Sequence, residues 1–159
     1  MTDYVLLAKQ VTSLAEEDAG WVALLANASS LVMDALPDLN WAGFYLARDT
    51  TDGSRELVLG PFQGHLACTR IPFGRGVCGT AAASGETVVV ADVHAFPGHI
   101  ACDSASASEI VVPLMSRGHA IAVLDVDSPT PARFSPDDRE GLERLASLLA
   151  DALDGAVLG

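Results

Sequence analysis

The sequence is poor in positive charge. Its 159 residues contain 9 Lys and Arg against 21 Asp and Glu, which gives a formal net charge of −12 at pH 7. Proteins that bind nucleic acid or anionic membranes rely on Lys and Arg to neutralise phosphate groups. The charge balance therefore predicts no nucleic-acid partner and no membrane partner.

The sequence also lacks a long apolar run and a basic start. No segment reaches the roughly 18 consecutive apolar residues of a membrane-spanning helix, and no basic cluster precedes an apolar stretch at the N-terminus. Hydrophobic residues nevertheless make up 50% of the chain, enough to bury a core. We expect a cytoplasmic protein that folds as one domain over residues 1–159.

Cysteine is scarce and unevenly spaced. Cys68, Cys78 and Cys102 lie 10 and 24 positions apart, which matches neither a CxxC metal site nor a disulfide framework. In a reducing compartment they are either buried inert thiols or reactive ones, and each taken alone is more often a small buried side chain. Zinc ligation by the three cysteines and a histidine stays open, although no close ligand pair supports it.

Hydrophobic periodicity predicts the order of the secondary structure. Apolar spacings of three or four residues predict two helices in the first third, divided near residues 18–20 and ended by Pro37. A short helix is predicted over residues 80–84 and ended by Gly85, and a capped helix from residue 136 to about 153 begins after Ser135. Alternating patterns predict strands at residues 41–47, 57–59, 67–71, 88–90, 109–115 and 120–126.

These elements predict an α+β domain with a central, mostly antiparallel sheet flanked by N- and C-terminal helices. The first three strands are expected to form an antiparallel meander, with Gly60 and Pro61 closing the second strand. The strand at 88–90 is expected to be buried. The long segment 92–108 has little periodicity, which is typical of a functional loop.

Three carboxyl groups are candidates for chemistry. Asp125 and Asp127 lie two apart on a strand, so both face one side, where a cation such as an ammonium group would balance them. Alternatively, Asp127 is a solvated turn residue and Asp125 caps a backbone group. Glu109 begins an apolar strand that would draw it inward, raise its pKa and make it a general acid. Its alternative is an exposed strand end.

Aromatic and thiol groups are further candidates. Trp41 and Tyr45 share a strand face, where we expect them to be too far apart to stack but able to form two walls of an apolar pocket; alternatively they are core residues. Cys102 lies in a polar loop that suits thiolate chemistry, although Asp103 would raise its pKa. Cys78 lies at a helix start, where the dipole and Arg75 favour a thiolate.

Seven short segments carry a family pattern. They are NWAGFY (40–45), LGPFQG (59–64), ACTRIP (67–72), GRGVCGT (74–80), VH (93–94), FPGHIACDS (96–104) and EIVVP (109–113). Together they closely resemble the free methionine-(R)-sulfoxide reductases, which are single GAF domains. The resemblance extends from about residue 35 to 127, and the loop at 48–56 departs from it by being a few residues longer.

The resemblance implies an enzyme that reduces the R-sulfoxide of free methionine without a cofactor, with thioredoxin as the final reductant. It assigns Cys102 as the nucleophile that becomes a sulfenic acid, and it favours Cys68 over Cys78 as the thiol that resolves it into a disulfide. Cys78 pairing with Cys102 stays the alternative. A homodimer is also implied.

The resemblance further implies how the substrate binds. Trp41 and Tyr45 match the aromatic positions of the pocket, and Glu109, Asp125 and Asp127 match the acidic ones that would bind the ammonium group. The substrate carboxylate is expected to meet backbone N–H groups of residues 102–106. The competing interpretation is a non-catalytic GAF module that binds a small ligand or senses redox state. A sensor is normally joined to an output domain, and all three cysteines of the family are present, so the enzyme is favoured.

Overall fold

The computed structural model describes residues 1–100 and 104–158 and shows a six-stranded sheet with helices on both faces. The elements are α1 (Tyr4–Glu16), α2 (Trp21–Ala35), β1 (Trp41–Asp49), β2 (Arg55–Gly64), β3 (Arg70–Pro72), α3 (Gly76–Ser84), β4 (Val88–Val90), a 3-10 turn (Val93–Ala95), β5 (Ser108–Ser116), β6 (His119–Ser128) and α4 (Pro136–Ala152).

The strand order in the sheet is β3-β2-β1-β6-β5-β4, and every neighbouring pair is antiparallel. The predicted α+β class and antiparallel meander are confirmed.

The sheet separates two apolar cores. On one face, α1, α2 and α4 pack over residues such as Phe44, Leu114 and Leu124. On the other face, α3 and the loops beside it cover a smaller core that includes Trp41 and Tyr45. Because side chains alternate along a strand, β1 contributes to both cores. The candidate site residues belong to the smaller face.

The helix predictions are confirmed in their number and order. Gly20, at φ 95°, ends the break between α1 and α2. Ser135 accepts a hydrogen bond from the Asp138 N–H at 3.1 Å while Asp138 accepts from the Ser135 N–H at 2.9 Å, which completes a capping box at α4. Within the described residues, no helix is long and apolar enough to cross a membrane.

Three strand predictions are wrong in detail. Strand β2 does not close at Gly60 and Pro61 but continues to Gly64, because these two residues form a bulge opposite the single residue Phe44. Strand β3 begins only at Arg70, three residues later than predicted. Strand β4 is an edge strand that pairs with β5, so Val89 is 40% exposed and the strand is not buried as expected.

Candidate active site

One pocket on the smaller face of the sheet collects most of the predicted site residues. Its floor comes from β1, β5 and β6, its side from the first turn of α3, and its rim from the loops that follow β2 and the 3-10 turn. Among the described residues, the lining comprises Trp41, Tyr45, Leu66, Ala67, Ile71, Arg75, Gly76, Val77, Cys78, His99, Ile100, Ser106, Glu109, Asp125 and Asp127.

Strand register brings the three carboxyl groups together. Asp127 on β6 lies opposite Glu109 on β5 and also opposite Trp41 on β1. Asp125 lies opposite Gly43, two residues along the same face. Directly opposed side chains on neighbouring strands lie about 4.5–5.5 Å apart at Cβ. Asp127 therefore belongs to the strand and lines the pocket, and the interpretation of it as a turn residue is wrong.

The acidic group is deeply buried. Glu109 is 7% exposed and Asp125 is 5% exposed, so the interpretation of Glu109 as an exposed strand end is also wrong. Burial, and then the charge of Asp127, raise the pKa of Glu109 to about 8. Burial, and then the charge of Glu109, raise the pKa of Asp125. A carboxyl group kept neutral in this way can donate a proton near pH 7.

The aromatic wall is more compact than expected. The rings of Trp41 and Tyr45 stack with centroids 5.9 Å apart and an interplanar angle of 24°, so the expectation that they could not stack is wrong. Gly43 lies between them, and a Cβ on Gly43 would be only 2.9 Å from Trp41 Cη2. The indole can lean along the strand because Gly43 has no side chain.

Phe62 extends this wall, and sequence reasoning missed it. Its ring stacks on Trp41 with centroids 5.2 Å apart and an interplanar angle of 15°. Trp41 Nε1 also donates a hydrogen bond to the His65 carbonyl at 3.1 Å, which fixes the indole. Phe62 follows the bulge at Gly60 and Pro61. Pro61 within a strand sequence is a signal of such a bulge, because proline cannot donate a ladder hydrogen bond.

The described cysteines differ in state. Cys78 is a free thiol, 5% exposed, with its Sγ 3.9 Å from Glu109 Oε1. Burial, and then Asp125 and Glu109, raise the pKa of this thiol, so the expectation that Arg75 and the helix dipole favour a thiolate at Cys78 is wrong. Cys68 is partly buried and disulfide-bonded. The predicted nucleophile Cys102 and its neighbour Asp103 lie outside the described residues.

Polar groups on the rim complete the pocket. The exposed Arg75 at the start of α3 supplies a cation in the lining, and Ser106 is buried there. Ser106 accepts a hydrogen bond from Asn40 Nδ2 at 3.1 Å. Burial, and then the nearby His94, lower the pKa of His99, which keeps its ring neutral at pH 7. The pocket thus joins an acidic interior to a rim that has donors for an anion.

Comparisons with known proteins identify the family to which the chain is similar. Residues 8–154 match the GAF domain family. The chain is 54% identical over 151 residues to protein YtsP of Bacillus subtilis, covering 95% of this chain and 91% of that protein. It is 49% identical over 150 residues to the free methionine-R-sulfoxide reductase of Escherichia coli, covering 94% and 88%. The solved structure of the free methionine-R-sulfoxide reductase of Neisseria meningitidis with its substrate is 51% identical, with a TM-score of 0.87 over 95% of this chain and 88% of that one.

Proposed function

The chain belongs to the GAF domain family and, within it, to the free methionine-(R)-sulfoxide reductases, and from this premise we propose that it reduces free L-methionine-(R)-sulfoxide to methionine. The observation that carries the proposal is the composition of the pocket. A stacked aromatic wall, three carboxyl groups and the Cys78 thiol meet there among the described residues, and the aromatic and acidic groups suit the methyl thioether and the ammonium group of this substrate.

Each part of the free amino acid has a matching group in the pocket. Its ammonium group binds between Glu109, Asp125 and Asp127, and its methyl thioether lies against Trp41 and Tyr45. Its carboxylate meets the backbone N–H groups of residues 102–106. A methionine residue within a protein has no free ammonium group, so it would leave buried carboxyl groups unsatisfied. The acidic pocket therefore selects the free amino acid.

The reduction uses thiol chemistry. The Cys102 thiolate attacks the sulfoxide sulfur, Glu109 donates a proton to the sulfoxide oxygen, and methionine leaves while Cys102 becomes a sulfenic acid. The support for Glu109 as the acid is its burial and its pKa near 8, because such a carboxyl is largely protonated at pH 7. No cofactor takes part, since the thiol supplies both electrons.

Cys68 resolves the sulfenic acid. Its thiol attacks the Cys102 sulfur, water leaves, and a disulfide forms that thioredoxin reduces with its own dithiol. Two observations favour Cys68 over Cys78: Cys68 is disulfide-bonded, whereas Cys78 is a free, buried thiol with a raised pKa. A resolving thiol attacks as the thiolate, which burial beside two carboxyl groups disfavours. Thioredoxin as reductant agrees with the cytoplasm, where thiols stay reduced.

Turnover tests the function directly. The reduced protein is incubated with L-methionine-(R)-sulfoxide and dithiothreitol, and free methionine is measured. We expect product from this substrate and none from N-acetylmethionine-(R)-sulfoxide, which lacks the ammonium group. The matched control is Cys102→Ser, which should release no methionine even in a single turnover. A folded, reduced sample that forms no product would sink the reductase proposal and favour a binding or sensing module.

Thioredoxin-dependent turnover distinguishes Cys68 from Cys78 as the resolving thiol. Cys68→Ser should release one equivalent of methionine from reduced protein but lose thioredoxin-dependent turnover, because its sulfenic acid cannot form the disulfide. Cys78→Ser should retain thioredoxin-dependent turnover. The opposite pattern would assign the resolving thiol to Cys78. Mass mapping of the disulfide after one turnover provides a measurement that does not depend on rates.

We also propose a homodimer formed through the N-terminal helices. Val5 and Leu6 on α1 and Val22 on α2 are each more than half exposed, so both helices present large apolar side chains to solvent. A second copy covering them would remove this surface from water. Light scattering during size exclusion should give twice the chain mass of 16.5 kDa, and Val5→Asp with Leu6→Asp should give a monomer. A monomeric wild-type protein would contradict the dimer.

A further inference from the structure

Three buried side chains in the pocket place metal-binding atoms close together. Cys78 Sγ and one carboxylate oxygen each from Glu109 and Asp125 all lie within 4.8 Å of one another, and the distance from Sγ to Glu109 Oε1 is 3.9 Å. In a tetrahedral zinc site, bond lengths of about 2.3 Å to sulfur and 2.0–2.2 Å to oxygen place the ligand atoms on the order of 3.5 Å apart. Small side-chain rotations would therefore bring all three atoms to one ion.

The state of Asp125 points independently to a bound cation. Its side chain is 5% exposed and lines the pocket, yet its Oδ1 atom has no hydrogen-bond partner among the residues that the structure describes. Buried carboxylate oxygens normally have a donor or a cation, because leaving one unsatisfied costs several kcal/mol in an apolar setting. An ion between Asp125, Glu109 and Cys78 would satisfy this oxygen.

We propose that the reduced protein binds one Zn²⁺ ion through Cys78, Glu109 and Asp125, and that this ion excludes the free amino acid from the pocket. The exclusion of the amino acid rests on the proposed function, whereas the binding of Zn²⁺ does not. Coordination releases to solvent the thiol proton and any proton held by the two carboxyl groups, and the three protein ligands leave a fourth position open to the pocket.

The donor set explains the choice of metal. A sulfur ligand disfavours Mg²⁺ and Ca²⁺, which prefer oxygen atoms alone and a larger number of them. Zinc accepts one sulfur and two carboxylate oxygens in tetrahedral geometry. The ligands belong to three different elements, α3, β5 and β6, whose packing holds the donors in place. Asp127 adds a further negative charge beside the site.

The other two cysteines must be removed to test the site cleanly, because they could themselves bind a soft metal. The double variant Cys68→Ser, Cys102→Ser leaves Cys78 as the single thiol, and Cd²⁺ serves as a zinc substitute whose thiolate charge-transfer absorption reports sulfur ligation. We expect one Cd²⁺ per chain with the absorption of one thiolate. Adding Cys78→Ser should abolish the band, and adding Glu109→Gln or Asp125→Asn should weaken Cd²⁺ binding at least about tenfold.

The exposed acids offer a matched control. Adding Asp151→Asn, on the solvent side of α4, should leave Cd²⁺ affinity unchanged. Absence of the band, a band that survives Cys78→Ser, or carboxyl variants that bind Cd²⁺ normally would each overturn the site. Circular dichroism confirms folding, and if the Cys78→Ser protein does not fold, the two carboxyl variants decide the question.

Competition between Zn²⁺ and methionine tests whether the ion excludes the free amino acid from the pocket. Calorimetric titration of Zn²⁺ into the same double variant should show weaker binding in free L-methionine than in an equal concentration of glycine, which chelates Zn²⁺ in solution in the same way but lacks the methyl thioether. Equal Zn²⁺ affinity in methionine and in glycine would overturn the exclusion. The reductase assay is run with a chelator, so a failed zinc site and a failed reductase proposal give separate results.

Discussion

At the scale of single residues, the aromatic wall depends on Gly43. A Cβ at this position would overlap the Phe62 Cβ and come within 2.9 Å of the Trp41 indole. We expect Gly43→Ala to separate β1 from β2 and tilt the indole, lowering the free energy of unfolding by about 1–3 kcal/mol. Urea unfolding measures the loss, and the near-ultraviolet circular dichroism of Trp41 should change with it. Unaltered stability and an unaltered spectrum would contradict the close packing of this wall.

The second prediction at this scale concerns Asp125. Its buried carboxyl group has no hydrogen-bond partner at Oδ1 within the described part of the chain, and under the proposed function the ammonium group of the substrate gives it one. Asp125→Asn removes the charge at nearly constant volume. We expect the dissociation constant for L-methionine-(R)-sulfoxide to rise at least about tenfold, or roughly 1.4 kcal/mol.

Calorimetry in a Cys102→Ser background measures this affinity without turnover. Asp151→Asn removes an equal charge from an exposed position on α4 and should leave the affinity unchanged. If both variants bind the substrate as tightly as the parent, the ammonium group does not bind at Asp125.

At the scale of elements, α4 begins at a complete capping box. Ser135 and Asp138 exchange side-chain and backbone hydrogen bonds, and Asp138 also accepts from Tyr4 Oη at 2.7 Å and from Arg133 Nη1 at 2.9 Å. The box therefore joins the start of α4 to α1. Ser135→Ala should lower the free energy of unfolding by about 1 kcal/mol.

The exposed Ser147, in the middle of the same helix, provides the control. Ser147→Ala should leave the stability unchanged or raise it slightly, because alanine has the higher helix propensity. Urea unfolding compares the two variants. An equal effect of the two substitutions would show that the cap contributes nothing beyond propensity.

Helices were predictable from the sequence because their ends carry local signals. Ser135 and Pro136 mark the start of α4, and Gly85 adopts φ 70° at the end of α3. Strand ends were less predictable. Gly60 and Pro61 have the composition of a turn, yet the register of β1 against β2 accommodates them as a bulge. Register is a property of two strands, and neither strand encodes it alone.

The candidate site shows the same difference between features with a local signal in the sequence and features that depend on two or more elements. The two-residue spacing of Asp125 and Asp127 predicted a shared face, and the structure confirms it. The stacking of Phe62 on Trp41 joins two strands, so a single segment could not indicate it. The prediction of a thiolate at Cys78 rests on the helix dipole and Arg75, which are local features. Its burial against β5 and β6 comes from the tertiary structure and outweighs them.

At the scale of the whole molecule, acidic groups divide into two populations. Most of the 21 acids contribute to a net charge of −12 at the surface, where solvent screens them. Glu109 and Asp125 are instead taken into the smaller core, where burial favours their neutral forms. Folding therefore favours the protonated forms of these two groups, and it follows that the stability of the molecule depends on pH.

Glu109 determines the direction of this pH dependence of stability and the pH range over which it occurs. Its pKa rises from 4.5 to about 8 on folding, through burial and then through Asp127, so the folded state holds a proton that the unfolded state releases. The stability from this protonation is complete below about pH 4.5 and is lost as the pH rises through about 8. The free energy of unfolding of reduced, chelator-treated protein should fall between pH 5 and 8, and Glu109→Gln should reduce that slope. Exposed Glu17→Gln removes the same charge and should leave the slope unchanged. Parallel pH profiles for all three proteins would mean that Glu109 ionises in the folded state as freely as it does in the unfolded chain.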